Sequence, residues 1–262
     1  MNKSDISKKG GLARIHLYGN PGTVAGRRLG GLNSVAIQNK VPTGFKLLRP
    51  IVFPRESVKL AELLGILAGD GHVGKYQVMM TTSSISDLEH AQYTKELFEQ
   101  LFNIPVSVIR RKDKNAIVIV VSSKEVCRFL VRKGLIQGNK VKMQLDIPNW
   151  IRSHDTYRQA FIRGLFDTDG CVYVDAHVIR NKHYRNIGMQ FTNRSLPLLR
   201  AFKGGLEEVG LTPTQTTKFA VFLRREKDIW AYFRIFGSSN SKHLGKLEAY
   251  LISKRRGVRV VE

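Results

Sequence analysis

Read for the spacing of its hydrophobic positions, the chain from residue 51 onward alternates between two periods. Apolar residues run almost continuously through 57–68, as in a buried helix. Residues 72–80 then alternate, with Gly74-Lys75 at the turn of a short hairpin. Period 3.6 returns over 87–102 through Leu88, Ala91, Leu97, Phe98 and Leu101. Ser86 is its expected N-cap, with Glu89 as capping-box partner. A second hairpin, 106–110 with 116–121, spans a basic loop at 111–115, and a helix over 123–133 stops at Gly134. The order then recurs. A helix at 156–167 precedes a longer hairpin, 171–180 with 184–193. A helix at 195–209 stops at Gly210, a hairpin spans 214–223, and helices follow at 227–236 and 244–253. An order αββαββ plus a further helix, met twice, predicts an α+β chain of two pseudo-symmetric αββαββα repeats, 51–150 and 151–262.

One stretch within each repeat is itself repeated. Leu63-Leu64-Gly65-Ile66-Leu67-Ala68-Gly69-Asp70-Gly71 has its partner in Ile162-Arg163-Gly164-Leu165-Phe166-Asp167-Thr168-Asp169-Gly170. Gly65 and Gly69 share a helix face, and Gly164 and Thr168 repeat that spacing. Small faces let two helix backbones approach closely. The glycine after each Asp is expected to stop its helix in the left-handed region. Packed side by side, the helices would bring Asp70 together with Asp169, 99 residues away. Each carboxylate would then sit at the negative end of a helix dipole and face a like charge. Folding needs no such pair; a shared divalent cation would relieve it. The last helical carbonyls, of Gly69 and Thr168, lack partners and are candidate extra ligands.

Composition narrows the partner. Of 262 residues, 43 are Lys or Arg against 21 Asp or Glu, a formal charge of +22. Such an excess points to a polyanion. It is spread along the chain rather than gathered on one amphipathic helix, which argues against a membrane surface. No apolar run approaches the roughly 20 residues that span a bilayer, and MNKSDISKKG lacks a signal-peptide core. Cys127 and Cys171 lack metal-type spacing and are expected to be buried thiols in a reducing compartment. A soluble intracellular protein, of cytoplasm (nucleoid) or organelle matrix, is expected. The seven histidines lack ligand spacing, and no P-loop, zinc cluster or His-Asn-His signature occurs. Residues 1–50 form a Gly-rich basic extension with thin periodicity and one or two short helices, around 12–17 and 23–31. It is either an arm that tracks a nucleic-acid backbone or a solvated leader.

The paired stretches resemble the LAGLIDADG signature of homing endonucleases, in the single-chain form with two motifs, over roughly residues 51–254. The family often has an acid two residues before the catalytic one; Asp167 matches and Ala68 does not. The segment 146–151 is similar to the family's lead-in to a second motif, with Pro148 as a stop and Trp150 as an anchor. The resemblance implies a curved antiparallel four-stranded sheet in each repeat, the two sheets forming a saddle over duplex DNA and packing through the two LAGLIDADG helices. It also implies a monomer.

What the resemblance implies chemically is a site-specific endonuclease making metal-dependent staggered double-strand cuts. Asp70 and Asp169 would hold Mg²⁺, or another divalent cation such as Mn²⁺ or Ca²⁺, which polarises a phosphoryl oxygen and acidifies its water. Family members carry a basic residue just after each fourth strand, here Lys124 and Lys227. A water-positioning residue at the end of each second strand would be Ser83 or Asn193. A two-stranded ribbon fits the major groove, so the candidate DNA contacts are Lys75, Gln77, Arg110, Lys112, Arg180, Arg185, Gln190, Thr216, Lys218 and Arg224. Many of these would hold phosphates rather than read bases. Two other functions use the same scaffold: a maturase acting on host intron RNA, and a non-catalytic DNA-binding regulator. Both acids are present, which favours the nuclease. The initial Met, and an end at 258–262 without a His-Asn pair, lead us to expect an intron-encoded or free-standing enzyme rather than a protein-splicing element.

Overall fold

The computed structural model describes residues 3–20, 22–40, 50–111 and 114–255. The chain divides into two compact units, Met1–Arg49 and Pro50–Glu262. The first holds two helices, α1 (Lys3–Tyr18) and α2 (Val24–Lys40), both longer than the weak periodicity suggests.

The second unit begins with α3 (Val58–Gly69), capped by Ser57, whose Oγ accepts from the Leu60 amide at 3.3 Å. Strands β1 (Gly71–Val73) and β2 (Gln77–Ser83), helix α4 (Leu88–Phe102), strands β3 (Ser107–Arg111) and β4 (Ala116–Ser122) and helix α5 (Lys124–Arg132) complete the first repeat. A single turn, α6 (Asn149–Arg152), leads into α7 (Asp155–Asp169). Then follow β5 (Gly170–Ile179), β6 (Lys182–Thr192), α8 (Leu196–Glu208), β7 (Thr214–Thr217), β8 (Ala220–Leu223), α9 (Glu226–Ile235) and α10 (Ser241–Arg255). The strands form two antiparallel four-stranded sheets, ordered β1-β2-β4-β3 and β5-β6-β8-β7. The expected α+β architecture of two matching halves is therefore present. The halves differ in reach: β1 pairs with β2 over three residues, whereas β5 pairs with β6 over ten, from Gly170↔Phe191 to Ile179↔Lys182.

One hydrophobic core runs through both repeats, and α3 and α7 lie at its centre. Every residue of α3 from Leu60 to Ala68 is buried. The two helices meet backbone to backbone. A Cβ on Gly65 would overlap the Phe161 carbonyl, and one on Gly164 would overlap the carbonyl of Glu62. Gly69 likewise has no room against the Thr168 side chain. The small-residue face is thus what sets the helix separation. Trp150 fixes the lead-in to α7 by donating Nε1–H to the Lys133 carbonyl at 3.0 Å and packing edge-on against Tyr157.

Three expectations need correction. Gly134 and Gly210 do take positive φ at their helix ends, 109° and 80°. Gly71 and Gly170 do not: each opens a strand, Gly170 with φ −93° and ψ 158°. They are glycines for space, since a Cβ on Gly71 would lie 2.6 Å from Leu67 Cα and one on Gly170 would strike the Phe166 ring. Ser86 does not cap α4. Asp87 holds the N-cap position, and Ser86 Oγ donates to its carboxylate at 2.8 Å. Cys127 is buried as expected, but Cys171 is exposed. Among the described residues no helix is long and apolar enough to cross a membrane.

The helix contact makes a paired prediction. Gly164→Ala should destabilise the chain by on the order of 3 kcal/mol, because the added methyl would first strike the backbone of Glu62 and Ile66, which cannot give way. Gly204→Ala in α8, where a Cβ meets nothing within 4 Å, should stabilise it by about 1 kcal/mol. Thermal unfolding of both variants checks the contrast.

Candidate active site

The close packing of α3 and α7 carries two acids to one place. Asp70 is the C-cap of α3, its amide donating to the Ile66 carbonyl at 3.1 Å. Asp169 is the last residue of α7. Burial pushes the Asp169 carboxyl up to about 7, aided by the like charge of Asp70 and opposed by Lys140 and by a hydrogen bond from Asn193. Asp70 opens to solvent on one side. The protein crowded around its other sides raises it too, with Asp87 acting in the same direction and Lys140 and Lys242 against.

Lys140 is the cation set against this pair. Its Nζ donates to the carbonyls of Leu67 at 3.1 Å, Gly71 at 2.8 Å and Gly69, closing over the negative end of α3. Burial lowers its pKa, while Asp169 and Asp70 raise it. Lys140, Asp169 and Asn193 line a cleft of about 210 Å³ together with Ala68, Gly69 and Thr192. Asn193 is brought to its acid: Nδ2 donates to Asp169 Oδ2 at 2.7 Å while Oδ1 accepts from the Ser195 amide at 2.7 Å.

Other sequence candidates stand elsewhere. Ser83 Oγ accepts from the amides of Ile85 and Ser86, both at 3.2 Å, and so shapes a turn rather than meeting Asp70. Lys124 lies with its ammonium 5.9 Å from the centre of the Tyr76 ring, and Lys227 is exposed on α9. The charges acting on the two acids come from Lys140, Lys242 and Asp87 instead. The Gly69 carbonyl, a candidate ligand, is taken by Lys140. Thr168, whose carbonyl is the other candidate ligand, turns only its hydroxyl back onto α7, donating to the Leu165 carbonyl at 3.0 Å.

Lys140 and Lys242 occupy matching places. Each follows the last sheet-covering helix of its repeat, in Asn139-Lys140 and Asn240-Ser241-Lys242, 70 and 73 residues after its acid. That recurrence was the signal available in the sequence. Lys242 is held differently from Lys140: its Nζ donates to Asp87 Oδ1 at 2.7 Å. Asn240 Nδ2 ties the same loop to Asp87 Oδ1 and to the Asp167 carbonyl, both at 2.9 Å. The Asp167 carboxylate accepts from Ser238 Oγ at 2.5 Å and the Ser239 amide at 2.7 Å. Burial still pushes that carboxyl up to about 7 against these bonds. Buried Glu62 of α3 and half-buried Arg163 of α7 form an ion pair beside them. Asp167 therefore anchors the loop that leads into α10 and so positions Lys242 in its first turn.

On the sheets, Gln77 alternates with buried Val78 and Met80, and Gln190 with buried Met189 and Phe191, so both point away from the core. Lys75, Gln77, Arg110, Arg180, Thr216, Lys218 and Arg224 are exposed; Arg185 and Gln190 are half-buried. Arg224 and Lys218 lie over Phe222 and Phe219, at 4.7 and 5.4 Å from the ring centres. Lys112 lies outside the described residues. Among those residues no cluster of three or more His, Cys, Asp or Glu forms a metal cage.

A sequence model of the LAGLIDADG-like domain matches residues 57–134 and again 156–247. Among curated proteins the chain is 26% identical over 211 residues to the tRNA-splicing ligase RtcB of Methanopyrus kandleri, covering 72% of this chain and 20% of that one. It is 35% identical over 113 residues to the replication factor C small subunit of Methanocaldococcus jannaschii, covering 43% of this chain and 6% of that one. The chain thus spans a small fraction of the curated relatives it matches. Among solved structures it resembles the meganuclease I-SmaMI bound to uncleaveable DNA, with a TM-score of 0.51, 14% identity, and coverage of 75% of this chain and 91% of that one. I-SmaMI bound to an uncleaved DNA target with calcium ions gives 0.52, 12%, 77% and 93%. At these identities the likeness is one of fold.

The network around Lys242 makes a pH prediction. Burial alone would raise Asp87; hydrogen bonds from Lys242, Asn240 and Ser86 overcome it and hold the carboxyl at about 2. Its contribution to stability is complete above the unfolded value near 4 and is lost as pH falls toward 2. Burial holds His90 and His243 down to about 4. Between about pH 6.5 and 4 these two histidines favour the unfolded chain, which takes up their protons first, while the raised carboxyls of Asp167 and Asp169 favour the folded chain, so the two effects oppose each other there. Asp87→Asn should cost about 3 kcal/mol at pH 7 by leaving Lys242 unpaired. Denaturant titrations across pH should show that gap closing below about pH 4.

Proposed function

We propose that this chain, which belongs to the LAGLIDADG family, is a site-specific endonuclease that makes metal-dependent, staggered double-strand cuts at one long DNA target. The observation that carries the reading is the pair Asp70 and Asp169, two acids raised by burial and held at adjoining helix ends. The arrangement is electrostatically costly and has no packing purpose. The donor set fits Mg²⁺, Mn²⁺ or Ca²⁺: such hard cations are held by one or two carboxylates together with substrate phosphate and water, not by a protein cage. The DNA named with the I-SmaMI structures, and the calcium named with one of them, support the same reading. The ligase and replication-factor names are not carried to this chain, given how little of those proteins it spans.

In this reading residues 51–150 and 151–262 each form half of the site, and one chain suffices. Asp70 and Asp169 would hold the cation, with the Thr168 carbonyl as a further donor. Bound there, a divalent cation would offset charge on the scissile phosphate and acidify a water. Asn193 keeps Asp169 Oδ2 in one orientation and leaves its other oxygen for the cation. Lys140 supplies a positive charge at the floor, where the phosphate and the leaving oxygen gain negative charge. The exposed cations of the two sheets hold the backbone, and Gln77 and Gln190 face the groove for base contacts.

Incubation of a randomised duplex library with and without Mg²⁺, read by sequencing the cut ends, tests the proposal. Staggered, metal-dependent cuts at one long, roughly two-fold site are expected; binding by folded protein without cutting would reject it. On the target so found, Asp70→Asn or Asp169→Asn should abolish double-strand cleavage while affinity stays within a few fold. Undiminished cutting by either variant would remove its acid from the site. Lys140→Met should lower the cleavage rate by roughly 100-fold or more, the scale of losing one charge-stabilising donor.

A further inference from the structure

The first 49 residues carry nine Lys and Arg against one acid, Asp5. That is +8 of the chain's +22 in under a fifth of its length. Seven of the nine fall between Lys3 and Lys40, within a built element. Helices α1 and α2 are joined by a turn in which Gly19 takes φ 72° and donates to the Ile15 carbonyl at 2.8 Å. Asn20 Oδ1 accepts from the Gly22 amide at 2.9 Å, Thr23 Oγ1 donates to the Asn20 carbonyl at 3.0 Å, and the Gly26 amide donates to Thr23 Oγ1 at 3.0 Å. Asn33 Nδ2 reaches across to the Leu17 carbonyl. Gly26 has no room for a Cβ against the Asn20 backbone, and one on Gly30 would lie 2.9 Å from the Tyr18 carbonyl. The two backbones are therefore pinned at the turn.

The hairpin has no core of its own. Among its residues whose burial is described, Gly26 alone is buried. Leu12, Leu32 and Val35 are 67%, 61% and 54% exposed, and Lys8, Lys9, Arg14 and Arg28 all face solvent. Glycines 10, 11 and 31 stand in open space inside helices, each costing about 1 kcal/mol relative to Ala. Two helices of such composition gain little from each other; a surface that covers them has to supply the rest. That surface is anionic, by charge complementarity. A bilayer fits poorly, because Leu12 and Leu17 lie on different sides of α1 and basic residues fall between them, whereas an interfacial helix segregates the two.

We propose that the α1–α2 hairpin is a second DNA-binding element, gripping the phosphate backbone of duplex that flanks the cleavage target. The proposal rests on the nuclease reading for the identity of the polyanion. Nine residues, 41–49, join the hairpin to the rest of the chain, a tether with a maximum reach on the order of 30 Å. Binding of one unit thus raises the effective concentration of the other on the same duplex. The grip is sequence-independent, because it is made through charge to phosphates.

The test uses the full chain, its variant Lys8→Gln/Lys9→Gln/Arg14→Gln/Arg28→Gln, and a charge-keeping control, Lys8→Arg/Lys9→Arg/Arg14→Lys/Arg28→Lys. Affinity for a 60-base-pair random-sequence duplex is measured by fluorescence anisotropy against KCl concentration. The Gln variant should lose about three to four from the slope of log affinity on log salt. It should also bind about 100-fold more weakly at low salt, with the same thermal midpoint, while the control matches wild type. An unchanged slope in the Gln variant, with wild type binding strongly, would overturn the proposal and leave the nuclease reading intact. Failure of wild type to bind any duplex would reject both. A loss confined to structured RNA, or to vesicles of anionic lipid, would overturn the assignment of DNA.

Discussion

The structure depends on the backbone contact between α3 and α7. Gly65 and Gly164 allow each helix to lie against the other's carbonyls, with no side chain between them. That closeness fixes where both helices end, and each ends on an acid. The cores of the two repeats are built outward from the same contact, so the element that holds the fold also aims the chemistry. Gly71 and Gly170 carry the same closeness past the helix ends: lacking a Cβ, they let the chain turn at once into β1 and β5, starting both sheets beside the acids.

The second constraint is electrostatic. Two carboxylates and two helix C-termini place negative charge in one small volume, and Lys140 answers part of it through three backbone carbonyls. The other repeat answers differently. Lys242 is tied to Asp87, and the loop before it is held by Asn240, Ser238 and Ser239 onto Asp167, beside the Glu62–Arg163 pair. Two repeats that match in fold thus differ in how they manage charge. They differ too in the length of the outer ribbon, three paired residues against ten.

Much of this was legible in the chain because it follows from local periodicity and repetition. The twice-met αββαββ order predicts the two sheets, and the spacing of Gly65, Gly69, Gly164 and Thr168 predicts the close helix face. The convergence of Asp70 with Asp169 follows from that face. The place of Asn193 at a strand end, beside Asp169, follows from the same order of elements. What escaped depends on loops and on where long side chains reach. Lys124 and Lys227 have similar offsets from the acids, but offset says nothing of direction, and Lys124 turns to Tyr76. Lys140 comes from a loop and Lys242 from the first turn of α10, neither on a periodic apolar face; only the Asn shortly before each marks them. Ser83 and Ser86 carry side chains that a nearby backbone amide or carboxylate can claim, and those local partners took them.

The claim on which the account turns is that the helix contact exists to hold a cation-binding carboxylate pair. Binding of Mn²⁺ to the chain on duplex DNA, followed by electron paramagnetic resonance, measures this most directly. The account predicts site-bound Mn²⁺ in the wild-type complex and its loss in the folded, DNA-bound double variant Asp70→Asn/Asp169→Asn. Equal Mn²⁺ binding by both complexes would contradict it.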